Sequence, residues 1–285
     1  MSNLETVSSL TQKLHPLFVA SRGVVVGKQK GVPTFFNVVL RTLIDKLAVL
    51  PPDAIWRESI DPNLHQILSS LCSVAERLSE GRFIGWQNRK ISVGKCRDIT
   101  DHMLAYSQGV LECVHWKGMP VFKTAYEFSL YSMMIWELKP ATILEFGSGQ
   151  GASAIWFADL LSQFNYSTHV YSVDIHPPDL EYEGVTFLER DVNHINEWMP
   201  SFSDKPKPWL VIEDAHVNIP GVLNCLNDYL IPNDYMVVED SSSKQFDIDK
   251  FMGSNGHLYR VDTRYVDYFG LNVTSSLNSV FKRVA

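Results

Sequence analysis

The chain has 285 residues, 45% of them hydrophobic and 12% aromatic, a composition that predicts a folded core and excludes a disordered polymer. Its formal net charge of −7 argues against a nucleic-acid partner, which would call for a basic face. No apolar run reaches the roughly 18 residues of a membrane span, and Cys72, Cys96, Cys113 and Cys225 are scattered without Cys-x-x-Cys spacing, so free thiols in a reducing cytoplasm are expected.

The polar opening "MSNLETVSSLTQKLHPLF" has no basic stretch followed by an apolar one, and no secretory leader is expected. The next hundred or so residues read as helices. "FFNVVLRTLIDKLAVL" (35–50) carries apolar residues at helical spacing and stops at Pro51 and Pro52, while "PNLHQILSSLCSVAERLSEG" (62–81) starts at a proline and ends at a glycine. "ITDHMLAYSQGVLECVHW" (99–116) is a third helical candidate. Residues 1–113 are assigned to a helical extension that serves as a cap or oligomerisation element, and a homo-oligomer is expected. Trp86 and Trp116 are candidates for lining a substrate cleft.

Residues 114–285 form the second predicted domain, in which helices alternate with short apolar strands. The helix "TAYEFSLYSMMIWELK" leads through Pro140 to the strand "ATILEFG", then the helix "GASAIWFADLLSQF" and the strand "HVYSVDI". "VTFLERDV", "WLVIED", the helix "IPGVLNCLNDYL" and "DYMVVED" follow. Strands separated by helices imply βαβ units and a mostly parallel sheet covered on both faces. The tail from His257 holds two extended runs, which predict an antiparallel hairpin closing the sheet.

"ILEFGSGQGASA" sets Glu145, Gly147, Ser148, Gly149, Gly151 and Ser153 at a strand-to-helix junction. Glycines there allow a tight turn and let a ligand approach the backbone beside the positive end of a helix. Gly147, Gly149 and Ala152 also fit the dinucleotide fingerprint Gly-x-Gly-x-x-Ala. An acid two residues before the first glycine would repel a pyrophosphate but suits the ammonium of an amino-acid ligand. The next strand ends at Asp174 and Ile175, where the acid, 29 residues beyond Glu145 (174 − 145), can accept both ribose hydroxyls. Asp191, at the end of the following run, can accept from an adenine amino group. Three acids at successive strand ends match the S-adenosylmethionine-binding pattern. The fold class expected is therefore α/β, a Rossmann-like class I methyltransferase with a seven-stranded sheet.

Two apolar runs end in acidic pairs, Glu213-Asp214 and Glu239-Asp240, 26 positions apart (239 − 213). Side chains alternate along a strand, so both members of a pair need not face the same way. Clustered carboxylates repel unless neutralised, and a hard divalent cation such as Mg²⁺ is the simplest neutraliser. His216 is a candidate general base, a metal-site neighbour or a capping residue.

Taken together, "WKGMPVFKTAYEFSLYSMMIWELKPATILEFGSGQGASAIWFADLL", "VIEDAH", "DYMVVEDS" and "DTRYVDYFGLNVTSS" resemble the cephalosporin hydroxylase/rhamnosyl O-methyltransferase family over about residues 114–283. The resemblance implies S-adenosylmethionine-dependent methyl transfer, with Mg²⁺ held by an acid after the fourth strand and by a Glu-Asp doublet after the fifth. The doublet maps onto Glu239 and Asp240. Asp214 is favoured as the first ligand, with Glu213 open, since aligning on His216 puts Glu213 at the first acid of the family pattern. Lys123, in "WKGMPVFKT", is a candidate to close over the cofactor.

The function expected is Mg-assisted O-methylation of a hydroxyl on a small-molecule acceptor in secondary metabolism, in the cytoplasm, with no nucleic-acid or membrane partner. Methylation of carbon or nitrogen on the same fold, a nicotinamide-dependent oxidoreductase and a non-catalytic scaffold are the alternatives. Aromatic stretches around Trp116, Tyr126, Tyr131, Tyr265 and Tyr268 suggest an apolar or ring-bearing acceptor.

Overall fold

A computed structural model describes residues 81–285, without the side chains of 92 and 93. It also describes 6–14, 42–43, 45–54, 68 and 71, and the backbone of 15–22, 25–26 and 29–30. The chain forms two compact units, Met1–Gly81 and Arg82–Ala285. The first contains α1 (Val7–Arg22), with Leu10 and Leu14 buried, and an antiparallel ribbon of Val25–Val26 with Gln29–Lys30. The helices expected at 35–50 and 62–81 lie largely outside the described residues, although 45–48 is helical.

The second unit is built on one eight-stranded sheet. Its strands are β1 (Phe83–Ile84), β2 (Thr142–Phe146), β3 (His169–Asp174), β4 (Val185–Glu189), β5 (Trp209–Glu213), β6 (Tyr235–Val238), β7 (Tyr259–Asp262) and β8 (Val280–Arg283). Their order is β1-β7-β8-β6-β5-β2-β3-β4. The five strands from β6 to β4 are parallel, and β8 is antiparallel to both β6 and β7. Parallel strands covered on both faces need continuous apolar runs, and β2, β5 and β6 are buried at every position. From β2 the chain winds outward through β3 and β4, then returns to the other side of β2 for β5 and β6. A reversal of this kind opens a crevice at the carboxyl ends of the strands, where ligands bind in open α/β sheets.

Local signals explain most boundaries. The helices of this unit are α2 (Trp86–Val93), α3 (Asp101–Tyr106), α4 (Ala125–Leu138), α5 (Ala152–Gln163), α6 (Ile219–Tyr229) and α7 (Gln245–Asn255), with single short turns elsewhere. A capping box starts α4: Thr124 Oγ1 accepts from Glu127 N–H at 3.3 Å, and Glu127 Oε2 accepts from Thr124 N–H at 2.8 Å. Lys139, left-handed at φ 47°, stops it before Pro140.

Several expectations need correction. The third candidate helix is only the six residues of α3, because Gly109 turns at φ 118° and the chain then forms a ribbon, His115–Trp116 with Met119–Pro120. The C-terminal strands do pair, but a long connection containing the helical turn Thr263–Val266 separates them, and β8 inserts between β6 and β7. The seven expected strands gain an eighth, β1. Residues 82–113, read from the sequence as part of the extension, fall in the second unit, where β1 pairs with β7. No helix among the described residues is long and apolar enough to cross a membrane.

Candidate active site

A cavity of about 560 Å³ opens at the carboxyl ends of β2, β3 and β5. The glycine loop forms its floor. Gly147 sits at φ 101°, a conformation that disfavours any side chain, and a Cβ there would lie 2.6 Å from the Asp214 carbonyl oxygen. Gly147→Ala is therefore expected to cost about 2–4 kcal/mol, from positive-φ strain plus displaced backbone, measurable as a loss in urea-unfolding free energy. Gly149 N–H donates to Asp174 Oδ2 at 3.1 Å, and His176 N–H donates to Oδ1 at 3.0 Å, which fixes that carboxylate at the rim.

Of the residues expected to hold a cofactor, Gly147, Ser148, Gly149 and Ser153 line the cavity from the loop. Asp174, Ile175, Asp191 and Lys123 line it from the other sides. Asp191 Oδ1 accepts from Asn193 N–H at 2.8 Å and so caps a helical turn. Gly151 lies behind the cavity against Pro178 and Phe187. Glu145 is wholly buried beneath it and accepts from Ser153 Oγ and Ser172 Oγ, each at 2.6 Å. Burial raises its carboxyl pKa, against the pull of Lys123. Its reach toward a ligand therefore runs through Ser153, which lines the cavity.

The two acidic pairs divide by strand alternation. Glu213, the last residue of β5, is fully buried; Oε2 lies 2.7 Å from Lys244 Nζ, and Oε1 accepts from the N–H groups of Ala215 and His216 at 3.1 Å. Asp214 turns the other way, into the cavity, and receives Lys123 Nζ on Oδ2 at 2.6 Å. The same ammonium lies 2.5 Å from Glu239 Oε2, and Tyr131 O–H donates to Glu239 Oε1. Burial drives the Lys123 pKa down, but Asp214 and Glu239 outweigh it and hold the ammonium well above its ordinary range. Burial and the Asp214 charge push the Glu239 carboxyl well up, and the same two causes raise Asp240.

Asp240 extends toward the cavity, its Oδ2 3.7 Å from His216 Nε2; Asp214 Oδ1 lies 3.3 Å from the same nitrogen. Both His216 (φ 61°) and Asp240 (φ 44°) are left-handed, a conformation costly for such residues and concentrated at functional sites. Asp214, His216 and Asp240 each offer a ligand atom, all within 4.8 Å of one another. Hard carboxylate oxygens that repel one another suit a divalent cation. Glu239, the other expected ligand, presents its carboxylate to Lys123 and Tyr131.

Sequence reasoning missed Lys244, Arg190 and Asn193; the last two line the cavity. Tyr131, expected among the aromatic residues near an acceptor, is buried and donates to Glu239 instead. Trp86 is buried in the core and donates to Asp249, and Trp116 donates to Asp159; neither lines the cavity. Tyr265 is likewise core, and Tyr126 and Tyr268 pack on Phe269, so the aromatic stretches do not line the cavity.

The family model for rhamnosyl O-methyltransferase/CmcI matches residues 108–255, just over half of the chain. The chain belongs to this family. The part shared with the rhamnosyl O-methyltransferase/CmcI family thus runs from Gln108, on the cavity wall, to the end of α7. The rhamnosyl O-methyltransferase of Mycobacterium leprae (strain TN) is 26% identical over 151 residues, which cover 50% of this chain and 66% of that protein. Its counterpart in Mycobacterium bovis (strain BCG / Pasteur 1173P2) is 25% identical over 152 residues, 50% of this chain and 62% of that one. The chain therefore spans slightly less than two thirds of either relative. Among solved structures, apo CmcI aligns at TM-score 0.54 and 23% identity, covering 70% of this chain and 84% of its own. A CmcI structure with Mg and SAM aligns at TM-score 0.54 and 24% identity, covering 68% and 88%. These likenesses establish the shared α/β fold.

Proposed function

We propose that the chain is an S-adenosylmethionine-dependent, Mg-assisted O-methyltransferase acting on a hydroxyl of a small molecule in secondary metabolism. The observation that carries this reading is the single cavity in which the glycine loop, Asp174 and Asp191 meet Asp214, His216 and Asp240. Relatives named as rhamnosyl O-methyltransferases and a CmcI structure holding Mg and SAM support it. The cofactor supplies an electrophilic methyl on a sulfonium, and the cation supplies positive charge that lowers the pKa of an acceptor hydroxyl.

The chain's own residues do the rest. Asp174 accepts ribose hydroxyls, Asp191 accepts from the adenine amino group, and the backbone at Gly147 and Gly149 lets the ligand lie close. Asp214, Glu239 and Asp240 would hold the cation. His216 takes the acceptor proton on Nε2, and the Asp214 and Asp240 carboxylates beside that nitrogen stabilise the imidazolium that forms. Free Cys96, Cys113 and Cys225 support a reducing, cytoplasmic setting, and we propose a homo-oligomer whose first unit contributes contacts.

Calorimetry with S-adenosylmethionine, with and without Mg²⁺, tests the reading. Wild-type protein is expected to bind the cofactor and to bind Mg²⁺, and Asp240→Ala to bind Mg²⁺ at least tenfold more weakly. Binding of NADH without binding of S-adenosylmethionine would establish the oxidoreductase alternative instead.

A further inference from the structure

Lys123 stands immediately before the capping box of α4 and just after the ribbon that Trp116 and Lys117 tie to Asp159 of α5, at 2.6 and 3.0 Å. Its backbone is thus anchored on both sides, and its side chain is buried. Nζ lies 2.6 Å from Asp214 Oδ2 and 2.5 Å from Glu239 Oε2. Tyr131 O–H donates to the other Glu239 oxygen, so both oxygens of that carboxylate are engaged from within the protein. Two of the three acids that would hold the cation therefore already share one ammonium.

Exposure divides this cluster into a closed and an open side. The side chains of Lys123 and Glu239 are each 3% exposed, whereas that of Asp240 is 57% exposed. Asp214 and Asp240 line the cavity and Glu239 does not. Asp214 spans the two sides: Oδ2 takes Lys123, and Oδ1 lies 3.3 Å from His216 Nε2, the nitrogen that Asp240 Oδ2 approaches to 3.7 Å. A cation entering from the cavity meets Asp214 and Asp240 first, and Asp214 already carries the Lys123 ammonium. Stranding a buried carboxylate is strongly destabilising, and like charges repel. One ammonium therefore has two opposed effects: it stabilises the carboxylates on their own and opposes a cation that joins them.

We propose that Lys123 is a built-in counter-ion that sets the affinity of the site for a divalent cation, holding Asp214 and Glu239 in place and competing with the cation for them. The inference rests on the cation-assisted reading above and adds what limits the cation's affinity. Lys123 is a positioning residue.

The test follows full-length protein by calorimetry with Mg²⁺ and by thermal unfolding in EDTA and in saturating Mg²⁺. Lys123→Met keeps the length of the stem and removes the charge. It is expected to bind Mg²⁺ about tenfold more tightly than wild type, the effect of removing a like charge from beside the cation. In EDTA its Tm is expected to fall by on the order of 10 °C, the mark of stranded carboxylates. Saturating Mg²⁺ is expected to restore most of that fall, because a ligand that binds more tightly adds more stability. Lys123→Gln keeps a hydrogen-bond donor without the charge, and is expected to show the tighter binding with a smaller fall in Tm. A residue that only packs would lower Tm equally with and without Mg²⁺ and leave the affinity unchanged. That outcome overturns the proposal, as does weaker Mg²⁺ binding in either variant. Variants that fold only with Mg²⁺ present support it, and variants that fold in neither condition overturn it. A wild type that binds no Mg²⁺ defeats the cation-assisted reading itself. Normal binding in the wild type with the same affinity in both variants overturns the role of Lys123 alone.

Discussion

Asp214→Asn is expected to lower the single-turnover rate of methyl transfer about 10³-fold, within the range of losses seen when acid–base machinery is disturbed. Asp214 touches two groups at once: Lys123 Nζ at 2.6 Å and His216 Nε2 at 3.3 Å. An amide keeps the shape but gives up the charge that pairs the ammonium and stabilises the protonated imidazole. His216→Ala is expected to cost a similar factor. Groups that act as a unit do not lose rate additively, so the double variant should be hardly slower than the slower single one. Quench-flow with radiolabelled S-adenosylmethionine measures all three. Independent, multiplicative losses would show that His216 and Asp214 do not work together.

Lys244→Met is expected to destabilise the second unit by about 3–5 kcal/mol, the cost of removing one partner from a buried ion pair. Lys244 and Glu213 are both buried, and the Nζ–Oε2 distance is 2.7 Å. After the substitution Glu213 keeps only the two backbone donors of Ala215 and His216. For a unit of this size the loss corresponds to a fall in Tm on the order of 10 °C. Glu213→Gln in the same background removes the stranded charge and should recover much of the loss, so the two substitutions interact strongly in a double-mutant cycle. A Tm within 2 °C or so of wild type for Lys244→Met would mean that the pair is not the anchor the distances indicate.

What the sequence made legible was local. The glycine loop and the strand ends at Asp174 and Glu213 follow from apolar runs and from Gly and Pro punctuation over a few neighbouring residues. The placement of Glu145, Glu213 and Glu239 was not legible, because each is decided by a side chain supplied from elsewhere. Ser172 reaches Glu145 from β3, Lys244 reaches Glu213 from beyond β6, and Tyr131 and Lys123 reach Glu239 from more than 100 residues away in the chain. An acidic pair reads the same whether its members share a site or face opposite sides of a strand. Which of Glu213 and Asp214 faces the cavity is of this kind: the strand's alternation sets it, and Glu213 turns to the buried Lys244 while Asp214 lines the cavity.

The Glu213 carboxylate also couples catalytic competence to the native fold. One of its oxygens ties down the amides that carry His216 in its left-handed turn, and the other is clamped by the residue just before α7. The amides of Ala215 and His216, although they belong to a loop, should therefore exchange with solvent as slowly as the core strands β5 and β6. The placement of His216 would then be lost only when the sheet itself opens, which makes its amide protection a direct reporter of global unfolding rather than of loop fraying.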